Sequence, residues 1–313
     1  MVRCMMAIWL CCTVMLMAGD QMGIYLVVDL TSSNGNHRYT DTAPDLSNDR
    51  CRTTELWLRR IPAGSFEMAT DQERWTSGRS YRQKVAIDCD YYIGVFEITK
   101  KQWSLITGQN PDHKNTYVHT PAAGNLCADG APFSMCNNND HYPVECVSYN
   151  ECVNYVGKLG RRTGLDFDLP TEAQWEYAHR INPDGSCASA EKYYPRGGKI
   201  GQGVVEMGLS PRNNTEGKDK VAVEYNTVVG TCYKSGVDHD PPFDSTPMGL
   251  YDMSGNVWEW CHDVYCKDGD NRVVRGGNPF IYSRIMRHPQ RDYFDAQTSH
   301  SNIGLRVICT PCH

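Results

Sequence analysis

Beyond Asp20 the chain has no apolar run approaching the ~20 residues that cross a bilayer as a helix, which excludes a multi-span membrane protein. It has no basic excess either. Lys plus Arg is 31 and Asp plus Glu is 37, giving a net charge of −6 and a pI near 5.9. A nucleic-acid binder carries a basic face, so no nucleic-acid partner is expected. There is no self-similarity at a period of roughly 20–50 residues, which sets aside solenoids and propellers. The ten histidines never fall at H-x-H or H-x-x-x-H spacing, so no helix or strand offers paired imidazoles to a metal. Apolar residues at 40% and charged residues at 22% exclude wholesale disorder. The 313 residues make one large domain or two small ones.

Cysteine is abundant, at 15 residues, which points outside a reducing compartment. The N-terminus agrees. Arg3 precedes an apolar run from Met5 to Met17, and Ala18-Gly19 offers small residues for cleavage. Residues 1–19 therefore read as a secretory signal peptide, and the mature chain is expected to be secreted, periplasmic or on the cell surface, with no transmembrane span. Cleavage removes Cys4, Cys11 and Cys12 and leaves twelve cysteines, an even number as full disulfide pairing requires. Cys127/Cys136, Cys146/Cys152 and Cys261/Cys266 are the local candidates, though spacing alone does not fix connectivity. Cys309-Thr310-Pro311-Cys312-His313 fits the c-type haem attachment pattern. No helix or distal ligand follows to build a pocket, so haem is not expected.

Residues 23–30 are β-prone, Ser32 to Asn48 reads as a loop, and Leu56 to Met68 reads as a hairpin broken at Pro62-Ala63-Gly64. Val85 to Glu97 reads as one strand. Thr99, Ser148 and Thr171 each stand before a helical pattern, and Ser148-Tyr149-Asn150-Glu151 is a capping box, in which the serine and glutamate satisfy the first free amides of a helix. Gly164 should end that helix. Residues 20–55 form an N-terminal strand and linker, and 56–313 form the main domain. A few helices among short strands and long loops suggest an α+β fold.

The segments Ile61-Pro62-Ala63-Gly64-Ser65-Phe66-Glu67-Met68, Tyr91 to Thr99, Pro143 to Ser148, Leu169-Pro170-Thr171-Glu172-Ala173-Gln174-Trp175-Glu176-Tyr177-Ala178, Gly249 to Trp260, and Arg275-Gly276-Gly277 with Gly304-Leu305-Arg306 occur in one order. Together they resemble the sulfatase-modifying-factor family, whose founding activity is formylglycine generation. The resemblance runs from about residue 56 to 308. It implies a C-type-lectin-like, formylglycine-generating-enzyme-type fold with little regular secondary structure, short antiparallel strands and a few helices. Members of the family include oxidases, domains fused to iron-dependent enzymes and non-enzymatic binding proteins, so the site must decide.

In the oxidases that the chain resembles, two cysteines after the Gly-Gly pair hold copper. Soft thiolates select Cu(I). Here Gly276-Gly277 is followed by Asn278, Ile281 stands at the first cysteine position, and Ser283 or Met286 stands at the second. No cysteine occurs from 267 to 308, so copper and oxidase chemistry are not expected. The resemblance also implies one calcium ion, held by the side chain of Asp252, the carbonyls of Gly255 and Val257, and the carboxylate of Glu259. Such a mixed oxygen set suits calcium. The alternative is that Glu259 only bonds backbone amides while Trp258 and Trp260 pack the core. Finally, Asn278, Tyr282, Arg284, Arg287, Arg291 and Tyr293 give the stretch 278–301 the Tyr, Arg and Asn chemistry of a binding surface. The expectation is an exported non-oxidase member that binds an unidentified ligand or partner through these loops. The rival is an oxidase acting on a peptide cysteine.

Overall fold

Three helices, each opened by a capping box, hold the chain's direction among the residues that this computed structural model describes: 22–71, 80–110, 140–188, 245–266, 269–277, 291–300 and 302–311. In α1 (Lys100–Thr107) the Thr99 hydroxyl accepts from the Gln102 amide, and the Gln102 side chain accepts from the Thr99 amide. Ser148 and Glu151 do the same for α2 (Tyr149–Thr163), and Thr171 and Gln174 for α3 (Glu172–Arg180). Each box satisfies orphan amides that would otherwise cost ~1 kcal/mol. All three expected starts are found, and Gly164 ends α2 in the left-handed conformation. No helix among the described residues is long and apolar enough to cross a membrane.

Among the described residues the strands form three sheets. The largest has six, in the order β2 (His37–Thr40), β1 (Tyr25–Asp29), β3 (Glu55–Ile61), β6 (Tyr91–Gly94), β12 (Ile308–Thr310) and β7 (Asp166–Asp168). A second has four, in the order β10 (Arg291–Asp295), β9 (Asn271–Arg275), β8 (Trp258–Val264) and β11 (Ile303–Gly304). β4 (Gly64–Asp71) and β5 (Ser80–Ile87) form a separate ribbon. Pairing is antiparallel except between β11 and β8. The result is an α+β architecture of short, mostly antiparallel strands.

Several expectations change. Leu56 to Met68 is not a hairpin: β3 pairs with β1 and β6, whereas β4 pairs with β5 in another sheet. The Pro62-Ala63-Gly64 break is where the chain leaves one sheet for the next. Val85 to Glu97 is two strands, parted at Asp88–Asp90, where Asp90 accepts from the Ala63 amide at 2.8 Å and from Arg60. The expected loop from Ser32 to Asn48 contains β2. β1 lies between β2 and β3 in the six-stranded sheet.

β1 is buried on both faces, which is why Tyr-Leu-Val-Val reads as an unbroken apolar run. Leu26 and Val28 join Leu56 and Leu58 against Cys152, Tyr155, Val156 and Leu159 of α2, with Trp258, Trp260 and Val274 of the second sheet closing the cluster. Tyr25 and Val27 face the other way, onto Trp57, Val95 and Phe96. A second core gathers Ile61, Tyr91 and Ile93 around Trp175 and Ala178 of α3, with Phe66 and Met68 of the ribbon. Each such side chain contributes about 1.5–3 kcal/mol when withdrawn from water.

The cysteines are not arranged as expected. Cys51, Cys89, Cys152, Cys187, Cys261 and Cys266 are thiols, so neither the Cys146/Cys152 nor the Cys261/Cys266 pair forms. Cys152 points inward from α2 into the core. Cys261 is fully buried and Cys266 exposed, placing the two on opposite sides of the surface. Cys127 and Cys136 lie outside the described residues.

Candidate functional site

α3 and β9 lie side by side under the Gly276–Gly277 turn, and charge joins them. Arg275, fully buried at the end of β9, donates from Nη2 to Glu176 at 2.7 Å and lies 3.7 Å from Glu172. Glu176 also accepts from Arg180 and from the Ala69 amide, which ties α3 to the β4 ribbon. Burial pushes the Glu176 carboxyl up, against the pull of Arg275 and Arg180. The Arg275 guanidinium lies 5.2 Å from the centre of the Trp175 ring. Gly276 and Gly277 follow at φ +96° and +88°, a conformation that L side chains rarely adopt.

Beneath the turn, Ser254 and His179 are within hydrogen-bond distance, Oγ to Nε2 at 3.2 Å, and His179 packs edge-on against Trp175. Burial, then the positive charges of Arg275, Arg306 and Arg180, push this imidazole well below the usual histidine value. Trp175 donates its indole N–H to Glu259 at 2.6 Å. Arg306 donates from Nε to both Glu259 oxygens, at 3.1 and 3.0 Å, and from Nη2 to Oε1 at 2.7 Å. Burial opposes the Arg306 charge, but Glu259, Glu97 and Asp252 hold the guanidinium protonated.

The loop expected to hold calcium runs directly over this cluster. Asp252 and Asn256 are both left-handed, at φ +58°, and Gly255 lies at φ +100°. Glu97 clamps the loop, accepting from the Asn256 side chain at 2.7 Å and the Val257 amide at 3.2 Å. Burial, then the charges of Asp252 and Glu259, push the Glu97 carboxyl well above the usual carboxylate range. The loop suits a cation at Asp252 and at its backbone carbonyls. Glu259 already accepts from three N–H groups, the Trp175 indole and two of Arg306, one of which is shared between its two oxygens, so about one lone-pair direction is left for a cation.

Of the six residues expected to bind, Asn278, Tyr282, Arg284 and Arg287 lie outside the described residues. Arg291 and Tyr293 stand on β10. Arg291 was expected to be exposed and is not. Its side chain is 13% exposed, it donates to Glu172 at 2.8 Å, and its guanidinium lies 4.4 Å from the centre of the Tyr265 ring. The opposite charge of Glu172 explains the difference. Tyr293 is half-buried, and its ring centre lies 4.2 Å from that of Tyr265 with the planes tilted by 34°. Sequence reasoning gave no role to Glu97, His179, Glu172, Glu176, Tyr265 or Arg306. The usable signal was charge set within apolar runs, as in Val95-Phe96-Glu97-Ile98 and Leu305-Arg306-Val307.

Residues 44–311 match the model of the Sulfatase-modifying factor enzyme 1-like domain. The chain belongs to that family. It is 26% identical to the mouse (Mus musculus) "Formylglycine-generating enzyme", over 88% of this chain and 81% of that protein. It is 32% identical to the mouse "Inactive C-alpha-formylglycine-generating enzyme 2", over 70% of this chain and 72% of that one. The solved structure of PvdO from Pseudomonas aeruginosa shares the fold, with a TM-score of 0.60 and 21% identity, covering 82% of this chain and 94% of that one. The formylglycine-generating-enzyme-type, C-type-lectin-like fold implied by the sequence is therefore present.

Proposed function

We propose that this protein is an exported member of the family without formylglycine-generating oxidase activity, and that it presents the stretch from Asn278 to Ser301 to a ligand or partner. One observation carries the reading: after Gly276–Gly277 there is no cysteine until Cys309. A dithiolate copper centre needs two soft ligands, and Met286 with Ser283 supplies only one thioether. The similarity to a relative named as inactive supports a domain kept without the chemistry. The apolar run from Met5 to Met17 supports export.

In this reading Arg291 works as a pin, locking β10 to α3 through Glu172, and Tyr293 stands at the edge of the surface. The contacting residues are Asn278, Tyr282, Arg284, Arg287 and Tyr293, since Tyr and Arg anchors each carry ~2 kcal/mol or more at interfaces. The test compares the wild type with a variant in which Tyr282, Arg284, Arg287 and Tyr293 are serine. Partner binding should be lost while the unfolding midpoint stays nearly unchanged. Equal binding by both proteins would move the surface elsewhere. Copper-dependent oxygen uptake with a cysteine peptide would restore the oxidase reading.

A further inference from the structure

The hairpin of β1 and β2 lies ahead of residue 44, where the family match begins, and adds two strands to the six-stranded sheet. Its outer strand, His37-Arg38-Tyr39-Thr40, ends that sheet and contains no proline or lysine, two residues that commonly guard an exposed edge. Ile24 and Tyr39, at 40% and 37% exposure, are two of the four large apolar side chains exposed among the described residues, and both stand at this hairpin.

The pairing fixes which backbone groups face outward. The Asp29 amide donates to the Asn36 carbonyl at 2.8 Å, and the register sets Val27 against Arg38 and Tyr25 against Thr40. Hydrogen-bonded and non-hydrogen-bonded pairs alternate along an antiparallel ladder. Asn36, Arg38 and Thr40 therefore turn their backbone groups toward β1, and His37 and Tyr39 turn theirs away. Side chains alternate with the same period of two. The rings of His37 and Tyr39 lie 6.1 Å apart on one face, where Tyr92 of β6 is 5.8 Å from Tyr39. Arg38 lies on the other face, 5.5 Å from the Trp57 ring and 3.2 Å from Glu55.

A further antiparallel strand matches outward residues with outward residues, so a two-fold pairing of β2 with itself can centre on His37, Arg38 or Tyr39. Centred on Arg38, it sets two guanidinium groups directly opposite, which is unfavourable. Centred on His37, it leaves Tyr39 opposite Gly35, with nothing to pack on. Centred on Tyr39, it sets Tyr39 against Tyr39, Arg38 against Thr40 and His37 against Asp41, and no like charges face each other.

We propose that β2 pairs with β2 of a second copy of this chain, antiparallel and centred on Tyr39, so that two six-stranded sheets join across a two-fold axis. Such an interface is isologous, each copy giving the same strand. It is independent of the role given to residues 278–301.

Sedimentation velocity of the purified protein over a concentration series tests this. The wild type should be a dimer in reversible exchange with monomer. Tyr39→Pro deletes an amide that points away from β1, so the hairpin keeps its own ladder while the seam loses the reciprocal bonds at its centre. Its dissociation constant should rise about tenfold or more. Thr40→Glu and Thr40→Lys both lose the bond from the Thr42 amide, and differ chiefly in the charge set against Arg38 of the second copy. The first should tighten the dimer and the second loosen it, each by about twofold to thirtyfold. A wild type that is monomeric throughout, a dimer that Tyr39→Pro leaves intact, or Thr40 variants that move in the same direction would each overturn the proposal. So would a monomer that loses a different protein partner on Tyr39→Pro, since the edge would then belong to a foreign strand. The Thr40 pair decides the matter should Tyr39→Pro fail to fold.

Discussion

Replacing Glu176 with Gln should be among the most damaging conservative changes in this protein. The carboxylate faces two guanidinium groups, Arg275 at 2.7 Å and Arg180, and also accepts from the Ala69 amide at 3.0 Å. All three charged side chains are at most 3% exposed. Burial raises the Glu176 carboxyl in spite of both arginines, so the cluster as a whole adds little net stability over an apolar equivalent. Breaking it is another matter. Gln keeps the volume and one acceptor, but it points an N–H2 at a guanidinium and removes the negative charge that Arg180 and Arg275 share, leaving Arg275 with Glu172 at 3.7 Å. Losing one partner of such a buried pair costs about 3–5 kcal/mol. At about 2–4 °C per kcal/mol for a chain of roughly this size, the unfolding midpoint should fall by about 6–20 °C. Calorimetric unfolding reads this directly. Glu67→Gln, which removes an exposed partner of Arg82, is the control and should change stability by no more than ~1 kcal/mol. A Glu176→Gln midpoint as close to wild type as that of the control would refute the reasoning.

Three further outcomes follow from the same geometry. His179 is held neutral, with its folded pKa far below the unfolded value, so its contribution is complete above about pH 6.5 and is lost as pH falls, at about 1.4 kcal/mol per pH unit until the folded value is reached; denaturation across that range should show a slope that His179→Phe flattens. Alkylation of the native protein should label the exposed thiols of Cys89 and Cys266 and spare the buried ones of Cys152 and Cys261 until the protein unfolds, and finding these four in disulfides would contradict the structure. Gly304→Ala would place a Cβ 2.3 Å from the Val144 carbonyl oxygen, so it should cost about 1–3 kcal/mol or more by overpacking, and a neutral result in thermal unfolding would show that the two segments are not so close.

How much of this was legible in the sequence follows from the range of the interactions. The helix starts at Thr99, Ser148 and Thr171 are written within four residues, because a capping box closes on itself. β1 was readable because burial on both faces makes a continuous apolar run. β2 and β7 were not, since both are short, polar edges whose membership of the sheet depends on strands elsewhere. The false hairpin at Leu56 to Met68 has the same cause. The turn signal at Pro62-Ala63-Gly64 is local, while β3 finds its partners at 25–29 and 91–94. The charged cluster was the least legible part. Arg275 meets Glu176 across 99 residues, Arg291 meets Glu172 across 119, and Arg306 meets Gly94 across 212. Arg291 therefore looked like a surface anchor.

The central claim is that the scaffold persists without the oxidase chemistry, and one measurement meets it directly. The purified protein, loaded with Cu(I), is incubated aerobically with a peptide carrying a sulfatase-type cysteine, and the peptide is followed by mass spectrometry. The account predicts that the cysteine stays a thiol, with no aldehyde product at any copper concentration. Copper-dependent conversion of that cysteine to formylglycine would contradict it.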